Sequence, residues 1–212
     1  MTAEIYITTF IVVSISTIII SGFFSYKTMS NEIRQQIKLD VNIEQMKKSE
    51  QIIKEFFKEN NLDSNVPIEI IAGILNITKG GIDYNLHEQA VLKEIGTTNA
   101  KIVLFKPGLS DIEERFIFAH EIAHVLNGDL IPVTRPEGYN KSQSEQLADY
   151  TAAALLMPLD KVYQFLTENN FKSAKRRKRI SIIRKLCKIY RVSKIIALRR
   201  TKEIYTLKAD NS

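Results

Sequence analysis

The first feature of the chain's hydropathy pattern is an uninterrupted apolar stretch close to the N-terminus. Ile5 to Phe24 comprises twenty residues without a charge, IYITTFIVVSISTIIISGFF. As a helix this stretch would be roughly 30 Å long, which is the thickness of the hydrocarbon layer of a bilayer. It predicts a transmembrane helix within residues 1–26. A cleaved signal peptide and a buried core helix are the alternatives.

The charges on either side of this stretch predict its orientation. Only Glu4 precedes it, whereas five Lys or Arg residues lie between positions 27 and 48. Cytoplasmic flanks are enriched in Lys and Arg, so we expect a single-pass protein of the cell membrane with its large C-terminal part in the cytosol. The polar helical pattern of residues 27–48 indicates a juxtamembrane stalk.

From Ser49 onward the pattern is typical of a globular α+β domain, which we assign to residues 49–170. The apolar pairs of SEQIIKEFFKEN have helical spacing, and Pro67 begins a short second helix. The stretches IDYN, AVLKEI and KIVLF, which follow a predicted turn at Gly80-Gly81, predict a small three-stranded, mostly antiparallel sheet. The third strand, AKIVLF, is either an edge for an added peptide strand or core only.

A further helical pattern, later in the chain, carries two of the three histidines. It lies in RFIFAHEIAHVLNGD, residues 115–129, after a capping-box sequence, SDIEE, and it ends at Gly128. In a helix, His120 and His124 lie on one face a turn apart, so both imidazoles can bind one metal ion. Zinc suits imidazole ligands. Glu121, next to the metal but not on it, has the position of a general base.

A catalytic zinc site requires a third protein ligand, and the following helix offers one. In EQLADYTAAALLMP, Glu145 and Asp149 are four residues apart. Glu145 can therefore bind zinc while Asp149 holds a ligand imidazole through its other nitrogen. The alternative is that Glu145 is only a carboxylate favoured by the helix dipole. Tyr139, between the two helices, and His87 are the candidates for stabilising an oxyanion, and surface positions are the alternative for both.

Charge is distributed unevenly along the chain. Of 30 Lys and Arg residues, fourteen lie in 172–202, a range without Asp or Glu. The rest of the chain therefore has sixteen basic residues and 24 acidic ones. This basic helical segment, residues 171–212, predicts contact with anionic lipid or an acidic protein, or is a solvated face. Part of this segment, LCKIYRVSKIIALRR, resembles a helix-turn-helix. DNA is nevertheless a less favoured partner than lipid or protein, because the second helix is apolar. The single cysteine, Cys187, excludes a thiolate-rich zinc site.

Three of these segments together resemble the ImmA/IrrE family of zinc metallopeptidases. The likeness rests on RFIFAHEIAHVLNGD, EQLADYTAAALLMP and IRKLCKIYRVSKIIALRRTKEI, and it covers residues 67–204. It implies a zincin-like fold in which His120, His124 and Glu145 bind Zn²⁺. It also implies that Glu121 is the base and that the substrate is a helix-turn-helix repressor of a mobile element or stress regulon.

Two other functions remain open at this level. One is a non-catalytic, membrane-held regulatory adaptor with a structural or vestigial metal site. The other is a DNA-binding regulator, which rests on the basic segment alone. The complete set of ligand and base residues favours the membrane-anchored zinc endopeptidase over both.

Overall fold

The computed structural model describes residues 41–96, 99–129 and 143–210, all within the compact unit Leu39–Ser212. The α+β class is confirmed. The elements of the described residues are, in chain order, α1 (Ile43–Glu59), α2 (Ile68–Ile74), β1 (Ile77–Ile82), β2 (Ala90–Ile95), β3 (Ala100–Phe105), α3 (Asp111–Asn127), α4 (Gln143–Leu156), α5 (Leu159–Glu168), α6 (Arg176–Tyr190) and α7 (Lys194–Asp210).

The predicted membrane span, residues 1–26, and the predicted stalk as far as residue 40 lie outside the described residues. In the part of the chain that the structure describes, no helix has both the length and the apolar character needed to cross a bilayer. Helix α1 starts at a capping box formed by Asn42 and Gln45, and it continues unbroken through residue 48. Its Met46 and Ser49 are buried, so residues 43–48 pack as part of the domain.

The sheet is mixed, and the expectation of a mostly antiparallel sheet was wrong. β3 is the central strand, with β2 antiparallel on one side and β1 parallel on the other. The chain between β1 and β2 crosses the end of β3, where the Asp83 N–H donates to Phe105 O at 2.8 Å and the Lys106 N–H to Gln89 O at 2.9 Å. This crossing reverses the direction of β2 relative to both other strands.

Because β3 is paired on both sides, a peptide cannot add to it as a further strand. AKIVLF is therefore core, the second of the two interpretations. Its inward side chains alternate along the strand, and the deepest of them, Val103 and Phe105, are buried. The ring of Phe105 lies 6.4 Å, centroid to centroid, from that of Phe118 in α3. This aromatic contact joins the sheet to the histidine helix.

Gly80 and Gly81 lie inside β1, not in the turn that the sequence predicted. A Cβ atom on Gly80 would lie 2.7 Å from Ile102 Cγ1 and 2.8 Å from the Val103 carbonyl oxygen. Glycine is therefore required by the close approach of β1 to β3. Of the predicted strand IDYN only Ile82 is in a strand, because the Asp83 carboxylate closes a turn by accepting the Asn85 N–H at 3.0 Å.

Helix α3 begins and ends at the predicted residues. Ser110 and Glu113 form its capping box, and Gly128 follows its end with φ of 78°. Every residue from Ile117 to His124 is buried, as in a helix enclosed on all sides. α4 packs on α3, and small side chains without exposed surface line both helices: Ala119, Ala123, Ala148 and Ala152.

The basic segment is an integral part of the domain. Ile182, Ile183 and Leu186 of α6 are buried in the main core, together with Ala197 and Ile204 of α7. Basic side chains of α6 cover its opposite, exposed side. The second helix of the predicted helix-turn-helix is thus largely enclosed, and its Arg199 and Arg200 are buried as well.

The glycine pair in β1 provides a test of the close β1–β3 approach. We expect Gly80→Ala to lower the free energy of unfolding by about 1–3 kcal/mol, because its Cβ meets backbone as well as a side chain. Gly81→Ala is the matched control, since a Cβ there meets nothing within 4 Å, and its effect should stay within about 0.5 kcal/mol. Equal shifts of the two denaturation midpoints would contradict this account of β1.

Candidate metal centre

Two imidazoles meet in the middle of the buried stretch of α3. His120 and His124 are 8% and 1% exposed. Their Nε2 atoms lie 3.0 Å apart, and the two rings meet edge to face. The spacing of one helical turn therefore brings both Nε2 atoms to a single point, as the sequence predicted.

The first turn of α4 adds a carboxylate to this point. Glu145 is 4% exposed, and its Oε2 and Oε1 lie 3.4 Å from the Nε2 atoms of His120 and His124 respectively. One ligand atom from each residue can be chosen so that all three lie within 4.8 Å of one another. Two imidazole nitrogens and one carboxylate oxygen are a donor set typical of catalytic zinc sites.

The other imidazole nitrogens fix the tautomer of each ring. His120 Nδ1 lies 2.9 Å from Asp149 Oδ1, and His124 Nδ1 lies 2.7 Å from Asp129 Oδ2. A carboxylate accepts, so Nδ1 carries a hydrogen in both rings, and in the neutral form of each ring Nε2 presents its lone pair. Two such lone pairs 3.0 Å apart repel each other unless a proton or a metal ion lies between them, so these residues fit a metal ion that replaces the proton.

The electrostatics of the site also favour a cation. Burial by itself disfavours the charged form of His120, but the hydrogen bonds with Asp149 and Glu145 outweigh burial and raise the pKa of His120 to about 9. Burial likewise opposes the charge on His124, whose pKa is nevertheless raised by Glu145 and Asp129. Carboxylates on three sides of the two rings thus stabilise positive charge between them.

Glu121 lies beside the ligand set rather than in it. It is 7% exposed, and it lines a cavity of about 160 Å³ together with His120, Glu145 and Asp149. The rest of the wall includes Gln89, just before β2, and Phe116, one turn before the first histidine. A small molecule or peptide group in this cavity would contact both the metal ligands and a carboxylate that can accept a proton.

The two candidates for stabilising an oxyanion have different outcomes. His87 is exposed and does not line the cavity, and its carbonyl oxygen lies 3.4 Å from Lys106 Nζ. Tyr139 lies outside the described residues. The structure therefore brings together His120, Glu121, His124, Glu145 and Asp149, and His87 belongs neither to the ligand cluster nor to the cavity wall.

Sequence reasoning missed several residues that support the site. Asp129, which holds His124, directly follows Gly128, and the left-handed turn at that glycine folds the chain back toward the imidazole. An acidic residue after a C-capping glycine was a usable signal. Ser144 Oγ donates to Asp129 Oδ2 at 2.8 Å and thereby ties the two helices together. Arg199, which contacts Asp149 Oδ2 at 3.3 Å from fifty residues away, had no local signal.

The family of the chain follows from its sequence as a whole. A family model described as the IrrE N-terminal-like domain, peptidase family M78, matches residues 77–202. The chain belongs to this family. Membership agrees with the resemblance to ImmA/IrrE proteins, and the matched range of the M78 domain includes every described residue of the site and most of α7. A search of curated proteins finds no match to the chain.

The ligand set of this M78 domain is tested by removing one histidine. His124→Ala deletes a ligand, so we expect zinc affinity to fall by more than the ~10–100-fold that loss of a supporting partner costs. His87→Ala is the matched control, because that histidine is exposed and away from the cavity. Competition with a chromophoric chelator measures both affinities. Equal zinc binding by the two folded variants would rule out the assigned centre.

Proposed function

We propose that this chain is a membrane-anchored, zinc-dependent endopeptidase. The observation that carries the proposal is the convergence of His120, His124 and Glu145 at one point, with Glu121 on the wall of the adjoining cavity. Membership of a peptidase family supports the same reaction. A purely structural metal site needs no carboxylate beside an accessible cavity, whereas hydrolysis does.

In this mechanism the protein residues have three separate tasks. The two histidines and Glu145 hold the ion, and Asp149 and Asp129 keep the imidazoles in the required tautomer. Bound Zn²⁺ supplies Lewis-acid polarisation of the scissile carbonyl and lowers the pKa of water. Glu121 takes a proton from the attacking water onto its carboxylate and delivers it to the amide nitrogen. The carbon–oxygen bond forms, the carbon–nitrogen bond breaks, and the amine leaves neutral.

The substrate in this proposal is a protein, and the family resemblance favours a helix-turn-helix repressor of a mobile element or stress regulon. The cavity wall beside Glu121 combines apolar Phe116 and Ala90 with the amide of Gln89. Such a wall suits a peptide, with an apolar side chain next to a backbone that needs hydrogen bonds. The oxyanion partner remains Tyr139 or His87, of which His87 lies two residues before Gln89.

The membrane attachment rests on the apolar stretch of residues 5–24. An uncharged stretch of this length suits a single span, and the basic residues after it favour a cytosolic peptidase domain. Anchoring would restrict the enzyme to substrates that reach the inner membrane surface. The adaptor alternative predicts the same location but no cleavage, so the base residue distinguishes the two.

The general base provides the decisive test of catalysis. Glu121→Gln keeps the metal ligands and the shape of the side chain but cannot accept a proton, so we expect hydrolysis to fall by about 10²–10⁴-fold. New protein N-termini are compared in cells carrying the wild type and the variant at equal abundance, with Glu59→Gln, an exposed position on α1 outside the cavity, as the matched control. If wild type and variant give identical sets of N-termini under conditions that induce the mobile element or stress regulon, the adaptor function is favoured instead.

The basic face of α6 is proposed to bind anionic lipid. Its exposed cations are Lys175 to Lys178, Arg184, Lys185 and Lys188, whereas Arg179 folds back on Phe171 and donates to its carbonyl oxygen. Ile189 beside them is 57% exposed, which suits a lipid surface better than nucleic acid. Each basic residue near an anionic bilayer gains about 1 kcal/mol. The burial of α7 disfavours DNA, because that helix would have to enter a groove.

Lysine labelling of the full chain in vesicles tests this partner. We expect Lys178 and Lys185 to be protected from an amine-reactive reagent in phosphatidylserine-containing vesicles but not in neutral ones, and the protection to vanish at high salt because charges are screened. Lys54 on α1 serves as the control lysine. Tighter protection by a DNA duplex than by anionic vesicles would overturn the lipid proposal.

A further inference from the structure

Two adjacent arginines of α7 are buried, and they share Glu203 but otherwise contact different parts of the molecule. Arg199 is 9% exposed and Arg200 is 0% exposed. Arg199 reaches the metal centre, where its Nη1 lies 3.3 Å from Asp149 Oδ2. Its Nε donates to Glu203 Oε1 at 3.1 Å, one turn along the same helix. A buried guanidinium with two carboxylate partners has its position and orientation fixed by both contacts.

Asp149 is the point at which this arginine meets the metal centre. Its Oδ2 faces Arg199, whereas its Oδ1 accepts the Nδ1–H of His120 at 2.9 Å. Because a carboxylate is planar, holding one oxygen fixes the direction of the other. The orientation of the His120 ring therefore depends on a residue at sequence position 199, inside the segment that the sequence assigned to a separate basic module.

We propose that Arg199 is a positioning residue for the metal centre. It holds Asp149 so that the carboxylate keeps the hydrogen of His120 on Nδ1 and the lone pair of Nε2 on the metal. Partners of this kind fix the tautomer and rotation of a ligand imidazole and so contribute to metal affinity. The inference rests on the proposed zinc centre, and it adds a requirement that the ligand set alone does not contain.

Arg200 has a different task, which makes it a matched control. Its Nη2 donates to Glu50 Oε1 of α1 at 2.7 Å, and its Nε donates to the Met157 carbonyl oxygen at 3.0 Å. The Tyr150 hydroxyl donates to the same Glu50 oxygen at 2.7 Å, and burial raises the pKa of that phenol, so it stays protonated. Arg200 thus fastens α7 to α1 and to the end of α4. Its Nη1 also lies 3.8 Å from Glu203 Oε2, so it shares this glutamate with Arg199, but its pairs do not include Asp149.

The geometry requires arginine at position 199 rather than any cation. Nη1 and Nε are separate donors on one rigid plane, and they contact Asp149 and Glu203 at the same time. Lysine has a single nitrogen on a flexible stem and cannot reproduce both contacts in fixed directions. A general charge effect would be restored by lysine, whereas a positioning effect would be restored only in part.

The test measures zinc affinity and the state of the His120 ring in the full-length protein. We expect Arg199→Gln to weaken zinc binding by about 10-fold and Arg199→Lys to weaken it less. Arg199→Gln/Glu203→Gln removes two opposite charges together, and Arg200 keeps its ion pair with Glu50 in this variant. In the zinc-bound protein, the His120 Nδ1–H resonance should exchange with water faster in the Arg199 variants than in the wild type.

The controls separate positioning from loss of fold. Arg200→Gln should lower the thermal unfolding midpoint but leave the zinc affinity and the His120 resonance unchanged. In an Asp149→Asn background, Arg199→Gln should add no further loss of affinity, because the two residues act in series. Equal zinc affinity in wild type and folded Arg199 variants would overturn the inference, as would equal losses in the Arg199 and Arg200 variants. Failure of the wild type to bind zinc would instead refute the proposed function.

Discussion

The close packing of α3 against α4 is the constraint on which the rest of the site depends. Glu145 can reach two imidazoles on a neighbouring helix only if the helix backbones approach each other closely, and the buried alanines on both helices permit this. The same approach brings Asp149, one turn further along α4, onto the far nitrogen of His120.

Features of the site that depend on short sequence separation could be predicted, and those that depend on tertiary pairing could not. The spacing of His120 and His124 and the caps of α3 follow from helix geometry within a few residues, whereas Glu145 was singled out by its spacing from Asp149 together with the family resemblance. The parallel pairing of β1 with β3 depends on a close approach at Gly80 to a strand that lies twenty residues later. From local sequence alone, a glycine pair predicts a turn. Only the neighbouring strand shows that a side chain at Gly80 is excluded.

Burying so many charged groups requires that each has a defined partner. His120, His124, Glu121 and Glu145 are removed from water within two helices, and Asp149 and Asp129 stand next to them. A buried charge without compensation costs several kcal/mol, so the carboxylates around the imidazoles need cations. Arg199 supplies one of these charges and the metal ion would supply the other. The fold therefore supplies, through Arg199, part of the positive charge that the buried carboxylates of the site need.

The basic residues of the C-terminal segment belong to two populations that composition cannot separate. Those on the outer side of α6 are exposed and add to a surface potential, whereas Arg199 and Arg200 of α7 are enclosed by carboxylates. The sequence placed all fourteen in one basic segment, either a partner-binding surface or a solvated face, because their count, not their burial, was visible. Once burial is known, Arg199 of α7 belongs to the metal centre, and most of the exposed cations among the described residues of this segment lie on α6. A boundary near residue 170 would thus separate His120 from part of its own support.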